Sequence, residues 1–599
     1  MITNFLSVFL MLNAFSYFTA FYMKSIFEYY CPIIFVLNII ISFYISFFKL
    51  KYSDKIYLPS MLNFIFLFLV ILFYSRVTYF QYNSLGIDEY YRLGMARYLD
   101  NHGFPVTNQL FVASDNTQKN AYYFLYFLAI SIRKCLFNMI SIEVIYNYVF
   151  LYIRYILTIF LYLEIFNSVL YFLNISKKIY QEKKIYLEIF FSLGVLSLII
   201  PPIPYALGVI SLFEQQSSFV LIIILLIASL MISLLKELYE SKRSSKIFLL
   251  FVLLCMMPVV IFITKFPYLP VILCGIFCYV FLVFVLFKEY IKYLSPILIF
   301  SLIILAIIYK FNPILPLTNV IRGEHETFIY FSKFELIKGV GIRGYFPWIK
   351  SIYLSAFISF GLLWLWLLIL AKKILSKYKI IHLNIFYFTL LVMSISGYIA
   401  TCIVRLKAYT GGAESYWSYA GWYSMTILIS VSFILCIFLK RYVLILSIIF
   451  CLFGSMLSFL ALRNYPFPNL NISVDQVISW CKQINIHREV QNKKNNKCVI
   501  NNPFKSKTVY ALNAFCDCFT ITTDIEKGYV TVDKTLFSKS VELNQFVNTS
   551  KDPTDEIKRY LNEYNFDELY IVGRNINDLD PKFEKDRLAK DSSIYVITK

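Results

Sequence analysis

Asp88 and Glu89 stand side by side in a polar stretch, Gly86 to Pro105, that follows a long apolar run. A carboxylate at the edge of an apolar segment can act as general base, taking the proton of an attacking hydroxyl or amine. Complementary groups lie further along. Lys119 precedes Tyr122-Tyr123-Phe124-Leu125-Tyr126, and Glu214 stands with Gln215 and Gln216. Two later loops carry Arg322-Gly323-Glu324-His325-Glu326 through Arg343, and Arg405-Leu406-Lys407 through Glu414-Ser415-Tyr416-Trp417. Cations of this kind stabilise a departing phosphate. Arg154 stands apart within a long apolar segment, where an arginine is costly and is therefore a functional candidate. Plainer readings exist for each: acids in a first helical turn complement the helix dipole, and loop arginines can sit near lipid headgroups. Lys119 can be a solvated interfacial lysine, Glu214 a span end, His325 an ordinary loop histidine, and Arg154 a partner of Glu143 or of a carbonyl. Asp88, Glu89 and Glu214 could ligate a divalent cation, although no spacing demands one.

The acidic pair needs a scaffold. Gly86 can cap a helix whose first turn holds Asp88 and Glu89, and Gly103 with Pro105 ends it. Tyr91, Met95, Tyr98 and Leu99 give that helix an apolar face suited to a membrane surface. Around it the chain is largely apolar. Of 599 residues, 59% are hydrophobic, 19% aromatic and only 15% charged. Apolar runs repeatedly reach the roughly 20 residues that cross a bilayer, which excludes an ordinary soluble globular protein.

The runs predict spans at Asn4–Tyr22, Tyr30–Phe48 and Tyr57–Tyr74, then a polar segment 75–120. Ala121–Phe137 is interrupted by Arg133 and Lys134 and reads as an interfacial helix. A long helix follows at Ile142–Asn174, then spans at Ile185–Leu207, Ser217–Leu235, Ile247–Thr264, Leu269–Phe287 and Leu294–Phe311. The last four are Ser351–Ala371, His382–Val404, Gly421–Leu439 and Tyr442–Ala461. The expected total is about thirteen crossings. The net charge of +20 sits mostly in short loops, such as Lys49-Leu50-Lys51, Lys177-Lys178, Lys242-Arg243, Lys372-Lys373 and Lys440-Arg441. These all fall on one side, which the positive-inside rule makes cytoplasmic, so no nucleic-acid partner is needed to explain the charge. The segment 75–120, the turn at Glu214, the arginine loops and everything after Arg463 then face the other side. The apolar start reads as a retained span rather than a removed signal peptide.

Two domains follow: a membrane domain at 1–462 and, after a shift to Asn, Lys, Asp and Ser with Pro466 and Pro468 as linker, a small soluble α/β domain at 463–599. Its predicted helices are Val474–Ile484 and Thr554–Tyr564, and its predicted strands Lys497–Asn501, Phe519–Thr523, Glu568–Val572 and Ser593–Thr598. Cys481, Cys498, Cys516 and Cys518 fall there, on the non-cytoplasmic side, where a disulfide can form with a pairing that spacing does not settle. No phosphate-binding glycine loop occurs, which argues against an ATP-driven pump.

In order and content the chain resembles the GT-C class of membrane glycosyltransferases, and is most similar to the branch with protein mannosyltransferases and lipid A aminoarabinose transferases. That family carries a D-E-x-x-Y motif in its first large outer loop, followed by a short helix and a His-Gly-like stop. Asp88-Glu89-Tyr90-Tyr91 through His102-Gly103 stands in that place. Lys119-Asn120-Ala121-Tyr122-Tyr123 occupies the position of a Lys-Pro-Pro-Leu-Tyr-like stretch, without its prolines. Arg154 fits a helix arginine, and Phe213-Glu214-Gln215-Gln216-Ser217 an acidic turn that opens a span. The resemblance implies a GT-C-like polytopic fold, with Asp88 as acceptor-side catalytic carboxylate, Glu89 beside it, and Glu214 assisting. Lys119 would contact the donor phosphate. Arg154, Arg322, Arg343, Arg405, Lys407 and Tyr416 complete the expected substrate-binding set.

The expected activity is transfer of a sugar from a polyprenyl-phosphate donor to a lipid, glycan or protein acceptor on the non-cytoplasmic face. Strong lysine, isoleucine and asparagine usage leans toward a bacterial inner (plasma) membrane. Two other readings stay open. A glycan polymerase or oligosaccharyltransferase would draw on the arginine loops. A transporter or flippase would call for symmetric halves with broken spans, and the sequence shows no such repeat.

Overall fold

The computed structural model describes residues 2–22, 24–49, 57–82, 93, 96–97, 99–100, 124–173, 182–199, 215–240, 244–265, 268–311, 329–331, 372, 381–406, 415–435, 474–493, 497–501, 512, 515–516, 518–521, 534–574, 579–580, 588 and 594–599. The apolar runs form helices because a backbone in an apolar surround must satisfy its own hydrogen bonds. In chain order these are α1 (Ile2–Tyr22), α2 (Lys24–Tyr44, continued by a π-helical turn Ile45–Lys49), α3 (Met61–Tyr82) and α4 (Phe124–Cys135). The long helix α5 (Phe150–Phe172) is entered through Ile142–Val144 and a π-helical turn, Ile145–Val149. Then come α6 (Lys184–Ile199), α7 (Gln215–Glu240), α8 (Ser244–Lys265), α9 (Leu269–Leu286) and α10 (Ile291–Phe311). Strand β1 (Ile329–Phe331), helix α11 (Ile381–Ile403), strand β2 (Val404–Leu406) and helix α12 (Ser415–Leu435) follow.

Among the described residues, 6 helices are long and apolar enough to cross a membrane, and four shorter apolar ones accompany them. The protein is thus a membrane-embedded helical protein. Expected spans at 351–371 and 442–461 lie outside the described residues. Helix α7 is the axis of the bundle: it is buried along nearly its whole apolar length and packs on α1, α5, α8, α11 and α12. Helices α2, α3 and α10 turn large apolar side chains outward, among them Phe43, Leu69 and Phe300, as lipid-facing helices do.

Helix α4 departs from the interfacial expectation. Its 12 residues reach only about 18 Å at 1.5 Å per residue, too short to cross. Yet every residue from Phe124 to Ser131 is buried, so it inserts between α1, α2 and the turn ahead of α5 rather than lying on a surface. Tyr126 packs on Tyr146 at 5.3 Å and Tyr17 meets Phe127 edge-on at 5.7 Å. Helix α3 also runs on to Tyr82, into the segment expected to be loop.

One end of the bundle gathers the ends of helices predicted to share a side. His382, opening α11, stacks on Phe172 at the end of α5 (5.7 Å) and meets Tyr239 near the end of α7 (4.7 Å) and Phe287 after α9 (5.8 Å). There Glu237 and Lys246 form a buried ion pair between α7 and α8.

The C-terminal domain comprises α13 (Val474–Val490), β3 (Cys498–Ile500), β4 (Phe519–Thr520), α14 (Lys534–Thr549), α15 (Thr554–Glu563), β5 (Glu568–Ile571) and β6 (Tyr595–Thr598). The strands order as β4-β3-β5-β6, with β3 parallel to β4 and to β5, and β6 antiparallel at the edge. Successive strand side chains point to opposite faces. Cys498, Ile500, Tyr570 and Val572 face Trp480 and Ile484 of α13, whereas Val499, Leu569 and Ile571 face Leu543, Val547, Ile557 and Leu561 of α14 and α15. The result is a three-layer α/β/α unit. Helix α14 was not predicted, because polar Ser540 and Asn544 sit on its buried face and interrupt the apolar period.

Candidate functional site

The polar groups singled out from sequence meet the structure unevenly. Asp88, Glu89, Lys119, Glu214, Arg322, Arg343 and Lys407 lie outside the described residues. Glu214 stands one position before Gln215, the first described residue of α7. Tyr416 falls in the first turn of α12.

Arg154 is buried, 6% exposed, one turn beyond the π-helical segment of its helix. Its guanidinium lies 4.7 Å from the centre of the Tyr155 ring, an arrangement in which a π-face offsets part of the cost of desolvating a cation. The Thr158 hydroxyl donates to the Arg154 carbonyl at 2.9 Å. Lys265, another buried cation, closes α8. Because α8 starts at the His382 end of the bundle, Lys265 lies at the opposite end. The sequence alone did not single it out.

Arg405 comes together with the earlier arginine loop. Strands β1 and β2 pair antiparallel, with Tyr330 opposite Arg405 and Ile329 opposite Leu406. The two loops expected on one side of the membrane are thus joined through their backbones.

The segment carrying the acidic pair continues as helical residues Leu93, Ala96, Arg97, Leu99 and Asp100. At 100° per residue, positions 93, 97 and 100 fall on one side and 96 and 99 on the adjoining one. Ala96 and Leu99 are fully buried in the core of the membrane bundle, whereas the sequence suggests for Leu99 a face lying along a membrane surface. Leu93, 1% exposed, belongs instead to the core of the C-terminal domain, with Trp480, Cys481 and Cys516. Arg97 Nη1 donates to the Phe515 carbonyl of that domain. Asp100 forms an ion pair with Arg133 at the end of α4, and Arg133 Nε donates to the Ile140 carbonyl at 3.3 Å, just ahead of the Arg154 helix. One stretch of helix therefore touches the bundle, α4 and the C-terminal domain. The i, i+4, i+7 spacing of Leu93, Arg97 and Asp100 was the available signal; their partners were not.

Both disulfides lie beside this junction. Cys481 pairs with Cys516 and Cys498 with Cys518, which resolves the pairing that spacing left open. Nearby, buried Glu568 is flanked by Arg488 (3.3 Å) and Lys493 (3.7 Å) and accepts from the Tyr570 hydroxyl at 3.0 Å. Among the described residues, no three His, Cys, Asp or Glu side chains gather as a metal site.

These features define a class: a polytopic helical membrane protein with an appended disulfide-containing α/β domain docked on a polar segment. Compared with known families and curated proteins, the chain matches no family model and no curated protein.

Proposed function

We propose that this protein is a GT-C-type glycosyltransferase that moves a sugar from a polyprenyl-phosphate donor to a lipid, glycan or protein acceptor on the non-cytoplasmic face, with Asp88 as general base. The observation that carries the reading is the place of the helix that follows Asp88 and Glu89. Ala96 and Leu99 sit in the apolar bundle while Leu93 sits in the soluble domain. A boundary of that kind suits a reaction whose donor is a lipid and whose acceptor arrives from water. Arg154 and Lys265, buried in the bundle, are cations of the type that stabilises a phosphate leaving group. The disulfides support a non-cytoplasmic domain, since such bonds persist in oxidising compartments. Asp88, Glu89 and Glu214 are the assigned carboxylates, with Lys119, Arg322, Arg343, Arg405, Lys407 and Tyr416 as further substrate-binding groups.

A second reading draws on the β1–β2 ladder, which joins the arginine loops: transfer of whole glycans, as by a glycan polymerase or oligosaccharyltransferase. One experiment separates them. Membranes holding wild type or Asp88→Asn at equal expression are given radiolabelled undecaprenyl-phosphate mannose, glucose or aminoarabinose. The expected loss in the variant is roughly 10²–10⁴-fold, the scale of a missing general base. Full transfer by Asp88→Asn would refute the assignment of Asp88. No transfer by wild type from any of these donors would favour the glycan-transfer reading or a transporter.

A further inference from the structure

The C-terminal domain could be a passive appendage, but its contact with the first outer segment is built from several kinds of interaction at once. Leu93 is enclosed in the domain's own core. Arg97 donates to the Phe515 carbonyl, and Asn485 Nδ2 of α13 reaches the same oxygen at 3.4 Å. The neighbouring Cys516 is bonded covalently to Cys481 of α13, and its N–H donates to the Leu512 carbonyl at 2.8 Å. The oxygen that receives Arg97 is thereby stapled to the rigid helix that covers the sheet. On the membrane side, Ala96 and Leu99 in the bundle core and the Asp100–Arg133 pair hold the same helix.

We propose that the C-terminal domain is the positioning element for the first outer segment. Leu93 and Arg97 are its positioning residues, and the Cys481–Cys516 disulfide fixes the surface on which they dock. This rests on the glycosyltransferase reading for its catalytic consequence, because the docked helix follows Asp88 and Glu89 directly in sequence. Its structural consequence does not depend on that reading. Displacing the domain releases the stretch that holds Leu93 and Arg97 from one of its two restraints. A guanidinium is suited to this task, since its planar fork holds direction as well as charge. Lysine keeps the charge without the fork.

The test uses the full chain in lipid nanodiscs, as wild type, Arg97→Ala, Arg97→Lys and the double variant Cys481→Ser/Cys516→Ser. Hydrogen exchange is followed in peptides covering 93–100, with peptides covering 534–563 on the far side of the sheet as a fold control. Exchange across 93–100 is expected to rise about tenfold or more in Arg97→Ala and in the double-cysteine variant, with partial recovery in Arg97→Lys. In variants whose 534–563 peptides stay protected, unchanged exchange at 93–100 overturns the proposal. Should the double-cysteine variant lose the fold control, Arg97→Ala alone decides. Transfer from radiolabelled undecaprenyl-phosphate mannose, glucose and aminoarabinose is measured on the same samples. The expected pattern is kcat lowered about tenfold with donor KM within about twofold of wild type, since positioning differs from donor binding. Loosened exchange with unchanged kcat overturns the positioning role. A wild type that transfers nothing, with the exchange pattern as expected, sinks the glycosyltransferase reading and leaves the docking established.

Discussion

Arg97 and Phe515, separated by 418 positions in the chain, share a hydrogen bond in which the Arg97 guanidinium donates to the Phe515 carbonyl. The bond ties the early polar segment, 75–120, to the protein's last domain. It takes its weight from its neighbours. Leu93 lies one helical turn before Arg97 and is buried in the same domain, while Asp100 lies nearly a turn after it and pairs with Arg133 of α4.

Removing the charge of Asp100 should be costly. Its side chain is 3% exposed, against 25% for Arg133, so the pair falls between a buried and a surface ion pair. Asp100→Asn is expected to destabilise the protein by roughly 1–3 kcal/mol, read from thermal unfolding in detergent. In a double-mutant cycle with Arg133→Ala, a coupling energy under about 0.3 kcal/mol would show that the pair is not an interacting one.

Gly194 is the point where α6 meets α5. A Cβ there would come within 2.0 Å of the Tyr162 hydroxyl, which donates to the Ser430 carbonyl of α12 at 2.7 Å. Ser197 and Ser430 hydroxyls lie 2.6 Å apart at the same crossing. Gly194→Ala should cost about 1–3 kcal/mol by overpacking and should lower the unfolding temperature clearly. At Gly275 the intruding atoms belong to Met393, whose flexible chain can move aside, so Gly275→Ala should cost less. Equal losses at the two sites would contradict this packing argument.

Glu164 receives the start of α1. The N–H groups of Ile2 and Thr3 donate to its carboxylate at 2.8 and 3.0 Å, and the Thr3 hydroxyl lies 2.6 Å from that of Ser229 on α7. A helix start has unsatisfied donors and a partial positive charge, and a carboxylate answers both. Glu164→Ala should destabilise by about 2–4 kcal/mol, and Glu164→Gln, which keeps an acceptor but loses the charge, by roughly half as much. Detergent-solubilised unfolding would decide, and a glutamine as harmful as alanine would mean that the charge, not the acceptor, matters.

His487 makes the C-terminal domain sensitive to acid. Burial, and next the nearby Lys493 ammonium, hold its imidazole below the ordinary value of 6.5, against a smaller upward pull from Glu568. As pH falls through 6.5, the unfolded chain takes up the proton before the folded one does. Stability is therefore full above that pH and declines below it. The domain in the full chain should be cut faster by a protease at pH 5.5 than at pH 7.5. His487→Gln should reduce that ratio, and an identical ratio in the variant would assign the acid sensitivity elsewhere.

Much of the architecture was legible because the membrane imposes simple rules. Apolar runs of span length marked α1, α5, α7, α8, α9 and α10 within a few residues of where they form. Lysine placement grouped helix ends that the structure brings together around His382. Turn residues and alternating apolar positions located β3 to β6 and both helices predicted for the soluble domain, since a strand that faces two apolar layers advertises itself in its own residues. Where burial is uneven, the pattern failed. Polar Ser540 and Asn544 hid α14, and nothing in the residues of α4 announced that Phe124 to Ser131 are buried against neighbouring helices.

The sequence by itself determined a helical membrane protein with a polar segment carrying an acidic pair and a cysteine-containing α/β region, because hydrophobicity and periodicity are local properties. The tertiary structure alone decided which cysteines pair, that β1 meets β2 with Tyr330 opposite Arg405, and that Leu93 and Arg97 contact a domain far along the chain. Those are contacts between distant segments. A leucine, an arginine and a carbonyl carry no mark of their partners until folding brings their surfaces together.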